Sequence, residues 1–389
     1  MSMASSTADV NDEEREIAEA NRLHDAADEA SKAGDHRRAE ELCRRALAVF
    51  ERIDGESSPD VANLSITLSR ILGDVGDRAG AVEAARRAWD ILEPIRDEAP
   101  EIVQLRLMAV QQLGVALREA GDFRAARPLL LRAVCDAEAR FGKDSVELAL
   151  ALNNLGILCK YTSRYEEGLD AYRRALAILE RELGPSHPDL ASIYHNLGGL
   201  EHHRGRFREA AAYAARSLEI REAALGPSSP LVAADAAAYA AILAELGEEE
   251  KARALYMRAH EIFLRVYGER HYEIAMNTHN LAALDASVGR IDEAEAGYRR
   301  AIELFTGAVG EDHHDTALAH YNLADLLLQL GRPDEARPHC EHALRVFDHT
   351  FGKKHPHTVS ATELLAKLGG RRAAAKRPAG RKAKSRRPE

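Results

Sequence analysis

The chain has 389 residues, of which 46% are hydrophobic, 30% charged and only 5% aromatic, and its formal net charge is −10. Ala, Leu, Glu and Arg dominate, a helix-forming mixture poor in the β-branched and aromatic residues that strands favour, which argues against a sheet-built core. The opening "MSMASSTADVNDEEREIAEA" has no signal-peptide core, and the most apolar run, "LVAADAAAYAAILAELG", is mostly alanine, carries Asp235 and is too short and weak to span a bilayer. A cytoplasmic protein without membrane contact is expected. The cysteines Cys43, Cys135, Cys159 and Cys340 are far apart and form no C-x-x-C pair, which argues against a disulfide framework or a structural zinc site.

In chain order, residues 1–12 are polar and expected to be disordered. From residue 13 the chain repeats itself. Gly142, Gly184, Gly226, Gly268, Gly310 and Gly352 follow one another at steps of 42 residues. A second turn signal keeps the same step at Gly121, Ser163, Gly205, Gly247, Gly289 and Gly331. Gly34 and Gly76 are also 42 apart, but Gly76 to Gly121 is 45, so the register reaches the N-terminus with one three-residue slip. A fixed period of this length marks a repeat architecture. The units run approximately over 13–55, 56–100, 101–142, 143–184, 185–226, 227–268, 269–310 and 311–352.

Each unit reads as two helices. In the fifth they cover Pro188 to Arg204 and Phe207 to Ala224, with "HRGRF" between them and "LGPSSP" as the closing stop. After Gly352, "HPHTVSATELLAKLGG" begins like another unit and stops at Gly369 and Gly370, so residues 353–370 are expected to form a capping helix. Residues 371–389 hold nine Lys/Arg and one Glu, and are expected to be a disordered basic tail.

Three stripes of small residues run through the units. The first helices carry Ala27, Ser69, Gly114, Gly156, Gly198, Ala240, Ala282 and Ala324. The second helices carry Ala39, Ala81, Ala126, Gly168, Ala210, Ala252, Ala294 and Ala336, then, seven residues on, Ala46, Ala88, Ala133, Ala175, Ser217, Ala259, Ala301 and Ala343. Small side chains let helices cross closely, and such a hairpin must stack on neighbours to bury its faces. Leu-Gly or Leu-Ala in helix one, Ala early in helix two, then an aromatic or Leu, then Ala, resembles the tetratricopeptide repeat. The 42-residue step and "LGPSHPDLA" are similar to the kinesin-light-chain type, over about residues 14–352. The resemblance implies an all-α, right-handed superhelical solenoid of about eight hairpins plus the capping helix.

His187 invites a catalytic or metal reading, but its register mates are Ser58, Ser145, Ser229, His271, His313 and His355, and Pro follows at 59, 188, 230 and 356. Serine before proline is a helix N-cap, so a capping role is expected for the histidines too. His195, His202 and His203 share a helix, yet no carboxylate or Cys ligand accompanies them there, and no metal or cofactor is expected. No nucleophile–base–orienter set or nucleotide-binding motif occurs, and an enzyme, such as a metal-dependent hydrolase, is the minority reading.

The resemblance places the first helices on a concave face that receives a partner. One position on that face, from the third unit to the eighth, holds Asn154, Asn196, Asn280 and Asn322, with Gln112 and Ala238 in the other two of these units. Just before it come Asn153, His195, His279 and Tyr321; one or two turns on come Arg118, Lys160 and Tyr161. Amides both donate and accept, so a row of them can hold an extended peptide backbone, whereas the alternative is amides bonding neighbouring helices. The expected function is a scaffold binding an extended or helical peptide segment of another protein, with weak non-specific nucleic-acid contact through the basic tail as the alternative.

Overall fold

Six of the first helices begin just after a serine or histidine in extended conformation, whereas the one that starts at Pro100 follows Ala99, which makes no side-chain cap. Ser58, Ser145, His187, Ser229, His271 and His313 all have β-region backbone, and each side chain accepts from a backbone N–H two or three residues on. His187 Nδ1, for example, lies 3.3 Å from the Asp189 nitrogen. The histidines of the recurring phrase are therefore caps, as their alternation with serine anticipates. From the third hairpin on, glycine closes the second helices: Gly142, Gly184, Gly226, Gly268, Gly310 and Gly352 are their C-caps, while the first two have Asp54 and Glu93 there.

The computed structural model describes the backbone of residues 4–375 and the side chains of residues 13–368. Its helices are α1 (Ala4–Lys32), α2 (His36–Ile53), α3 (Pro59–Asp74), α4 (Arg78–Leu92), α5 (Pro100–Glu119), α6 (Phe123–Phe141), α7 (Val146–Tyr161), α8 (Tyr165–Leu183) and α9 (Pro188–His203). They continue as α10 (Phe207–Leu225), α11 (Pro230–Glu245), α12 (Glu249–Tyr267), α13 (Tyr272–Ser287), α14 (Ile291–Val309), α15 (His314–Gln329), α16 (Pro333–Phe351) and α17 (Pro356–Ala375). No strand occurs among the described residues. The chain is an all-α repeat of helical hairpins. It divides into two compact units, Met1–Arg204 and Gly205–Glu389, with the division inside the fifth hairpin, where an unbroken array was expected. Within each unit a second helix packs on the first helix that follows, and consecutive first helices touch, as in α3 with α5 and α13 with α15.

Both ends depart from the sequence reading. Helix α1 begins at Ala4, inside the segment expected to be disordered, and α17 continues past Gly370 to Ala375 through "RRAAA". Alanine and arginine are strong helix formers and extend a helix already started. Residues 1–3 and 376–389, the latter most of the basic tail, lie outside the described residues.

The three-residue slip has a visible cause. Second helices α6 to α16 have 19 residues, but α4 has 15. It stops at Leu92, just before Pro94, whose missing N–H and ring cannot continue a helix. Helix α5 compensates by starting early at Pro100, with 20 residues against 16 in the other first helices from α3 to α15.

All three small-residue stripes are buried. A Cβ added to Gly156 would lie 2.5 Å from the Tyr172 ring, and one added to Gly114 would lie 2.7 Å from Leu130. The large side chains that fill the remaining space, Tyr172, Phe263, Phe305 and Phe347 among them, are fully buried.

A second recurrence lies on the outer helices. Arginine stands at 45, 87, 132, 174, 216, 258 and 300, with His342 in the eighth hairpin. In the first unit Arg87 meets Glu51 at 2.6 Å, Arg132 meets Glu93 at 3.5 Å and Arg174 meets Glu138 at 2.6 Å. In the second unit Arg258 meets Glu222 at 2.8 Å. Each pair ties one hairpin to the one before. The glutamate position becomes Leu264 and then Thr306, and Arg300 turns to Glu303 of its own helix at 3.0 Å. Partly exposed pairs of this kind contribute ~0–1 kcal/mol each.

Two substitutions test this account. Ala259 is fully buried at a helix crossing. Ala259→Leu is expected to overpack the crossing and cost ~1–3 kcal/mol in chemical denaturation; an unchanged midpoint would mean the crossing has room. Ser163 holds φ 56° where every other hairpin turn from Gly34 to Gly331 has glycine. Ser163→Gly is expected to stabilise by about 1 kcal/mol, because the left-handed backbone is costly for a residue with a Cβ; a lower melting temperature would contradict this.

Candidate peptide-binding face

The first helices present one edge of each unit, and their side chains reach along the stack. The contact rule is a spacing of 43 residues, one more than the 42-residue step; across the slip between the second and third hairpins, where the step is 45, the same spacing falls two residues short of register. In the first unit His24 Nε2 lies 2.9 Å from Thr67 Oγ1, and Gln112 Nε2 donates to Ser69 Oγ at 2.9 Å. Asn154 Nδ2 donates to Gln111 Oε1 at 3.2 Å, and Asn196 Nδ2 to Asn153 Oδ1 at 2.9 Å. In the second unit Asn322 Nδ2 lies 2.9 Å from His279 Nε2, and Tyr272 Oη donates to Asp315 Oδ2 at 2.9 Å. Burial, and then the Asp315 carboxylate, raises the pKa of the Tyr272 hydroxyl well above its ordinary value.

The amides therefore form rungs between hairpins. Asn153, Asn154, His195, Asn196, Asn280, Asn322 and Tyr321 are all half-buried on these helices. Each rung uses one amide hydrogen, and a carboxamide has a second hydrogen and two acceptor lone pairs. By the same spacing Asn280 would face Ala237, which has no polar side chain; Asn280 instead bonds its neighbour His279. His279 lies below the face, contrary to the expectation that it lines it. It is 6% exposed and packs on the rings of Tyr298 (5.6 Å) and Phe305 (6.3 Å), and burial lowers its pKa.

Arg118, Lys160 and Tyr161 come together in the first unit, at the ends of α5 and α7. The Arg118 side chain is only 9% exposed; one of its nitrogens meets Glu119 at 2.9 Å, but Nη1 is buried with no acceptor among the described residues. Burial and the nearby Arg118 both lower the Lys160 pKa. Among the described residues no carboxylate pairs with Lys160; its ammonium sits 5.2 Å from the centre of the Tyr161 ring. Tyr161 is 58% exposed and stacks on Phe123 at 5.9 Å. Phe123 and Gln111 escaped the sequence reading, and Ser69 entered it only as a small packing residue, although the 43-residue spacing marks Gln111 and Ser69 as partners.

The remaining reactive groups have structural surroundings. Burial raises the thiols of Cys43 to about 12 and of Cys159 and Cys340 to about 11, away from the nucleophilic thiolate. His203 Nδ1 lies 2.8 Å from the Gly199 carbonyl, one turn back in its own helix. Among the described residues one set of possible metal ligands closes up, His313, His314 and Asp315, and there His313 Nδ1 already caps α15. It does not include His195, His202 or His203. No described helix is long and apolar enough to cross a membrane.

The tetratricopeptide repeat model matches residues 19–93, 147–223, 231–306, 273–337 and 315–373, and a second model of that repeat matches residues 106–147. The chain belongs to the tetratricopeptide repeat family. No curated protein sequence matches it. Among solved structures, a Rap protein complexed with Competence and Sporulation Factor is similar over 92% of this chain and 100% of its own, with a TM-score of 0.57 at 15% identity. A signal transduction ATPase with a tetratricopeptide repeat sensor from Pyrococcus horikoshii is similar over 85% of this chain and 46% of its own, with a TM-score of 0.56 at 15% identity. BtubC (BKLC) from P. vanneervenii covers 70% of this chain and 97% of its own, with a TM-score of 0.44 at 22% identity. These likenesses are of fold.

The rung geometry predicts coupling between Asn153 and Asn196. In a double-mutant cycle with alanine at both positions, a coupling of ~0.5–1.5 kcal/mol is expected in denaturation. Additive costs would show that the two amides do not hold each other in solution.

Proposed function

We propose that this protein is an interaction scaffold whose first-helix face receives an extended, acidic peptide segment of another protein. Membership of the tetratricopeptide family supports the general role of interaction scaffold. The observation that carries the finer reading is the Arg118–Lys160–Tyr161 cluster, where a buried guanidinium nitrogen lacks an acceptor and an ammonium group lacks a carboxylate among the described residues. A carboxylate supplied by a ligand would pair with the Lys160 ammonium, with the nearby Arg118 charge adding attraction, and the exposed Tyr161 ring offers an apolar contact beside it. The rung amides supply the remaining peptide-binding groups. Asn154 and Asn196 in the first unit, with Asn153, His195 and Arg118 around them, would hold the backbone; Asn280, Asn322 and Tyr321 would do so in the second. His279 would act from below, by holding Asn322.

The reading is tested with fluorescent peptides of equal length and matched composition, one set rich in Asp/Glu and one rich in Lys/Arg. The acidic set is expected to bind the full chain and to weaken with salt. Lys160→Ala is expected to weaken that binding by ~1–2 kcal/mol while leaving the melting temperature in place, because one charge-assisted bond is lost. Equal binding of both sets, or no effect of Lys160→Ala, would overturn the acidic preference.

A further inference from the structure

Three histidines meet in the eighth hairpin at places where other hairpins carry something else. His320 on α15 corresponds to Leu152, Tyr194, Ala236 and Thr278. His339 on α16 corresponds to Leu129, Ala171, Tyr213, Leu255 and Gly297, and His342 to the recurring arginines. All three changes fall in one hairpin, and the ring of His320 meets both of the others. His320 and His339 face each other Nδ1 to Nδ1 at 2.7 Å, and the ring centres of His320 and His342 are 4.3 Å apart.

The His320–His339 contact needs at least one neutral ring. A hydrogen bond between two ring nitrogens takes one N–H and one bare nitrogen. Protonating both rings would set two N–H groups against each other. His342 Nε2 lies 3.1 Å from the Glu311 carbonyl and donates to it, and its Nδ1 accepts from Arg345 Nη2 at 3.1 Å. A proton on Nδ1 would remove that acceptor and set an imidazolium beside a guanidinium. With both His342 nitrogens engaged, the trio does not offer three free donors to a metal ion.

The charged surroundings are mixed. Arg299 of α14 and Glu335 of α16 face His339. Glu311, 3.6 Å from His342 Nδ1, and Asp312 lie on its other side with Arg345. His320 is faced by the two other histidines. Burial, then His342 and His339, holds His320 at about 3, far below its ordinary 6.5; burial, then Arg299 and His342, lowers His339.

We propose that His320, His339 and His342 form an acid-sensitive latch that keeps the eighth hairpin closed at neutral pH and lets it open when the rings take up protons. The sign follows from linkage. A histidine whose pKa is lower in the closed hairpin is protonated first in the open one, so the latch has its full effect above about pH 6.5 and loses it as the pH falls towards about 3.

Native-state hydrogen exchange on the full chain, with a chelator present, tests this. The comparison is with the triple variant His320→Thr, His339→Leu and His342→Arg, which installs residues found at the same places in other hairpins. Between about pH 7.5 and about pH 5 the opening equilibrium of α15 and α16 in the natural chain is expected to rise at least tenfold; one fully shifted histidine alone accounts for about thirtyfold. In the variant it is expected to change less than about threefold over that range. The same pH dependence in both proteins, or an unchanged opening equilibrium in the natural chain, overturns the proposal. Should the triple variant fail to fold, His320→Thr alone decides: it must remove at least about tenfold of the acid response, and a smaller loss overturns the latch.

Discussion

The close crossing of helices at small residues is the constraint on which this structure depends. Gly156 can sit against Tyr172, and Gly114 against Leu130, only because neither has a Cβ. That approach lets each hairpin form one flat layer with large side chains closing the gaps. A layer of this kind leaves apolar surface on both sides, so hairpins must stack, and within each unit stacking places the first helices along one edge. The polar chemistry of the chain is a consequence of that placement. Side chains on the edge are held at a fixed distance from the next hairpin, and the amides, Ser69, Thr67 and Tyr272 bridge it.

This gives the edge two roles at once. A carboxamide that braces its neighbour is also oriented, with its spare hydrogen and lone pairs already fixed in direction. A bound peptide would meet groups whose freedom has been lost during folding, which lowers the entropic cost of ordering them on binding. Arg118 shows the same logic with charge: the fold buries its side chain and pairs only part of it.

The period, the caps and the small-residue stripes were legible in the sequence because each is a local requirement repeated many times. Serine and histidine alternate before α3, α7, α9, α11, α13 and α15 because either can accept from the backbone at a helix start. The slip between Gly76 and Gly121 was visible, and Pro94 explains it once α4 is seen to stop there. What escaped were relations across the stack. Asn196 and Asn153 meet at a spacing of 43, which no single unit displays. His279 shares a helix with Asn280 but points into the core, a difference of about 100° around the helix that a motif of neighbouring residues conceals. The helical extension of α17 arises from the alanines and arginines of its last turns, whose propensity carries an existing helix onward.

The arginine–glutamate pairs of the outer helices have a further consequence. Each pair works like a key cut to the same pattern, so it can enforce that one hairpin follows another but carries no address saying which. A chain made only of such joints could exchange any hairpin for any other, including one from a second molecule. Individuality has to reside in the exceptions: the shortened α4 with its early successor α5, the leucine at 264, the threonine at 306 and the histidine at 342. These irregularities give a repetitive chain a single way to order itself.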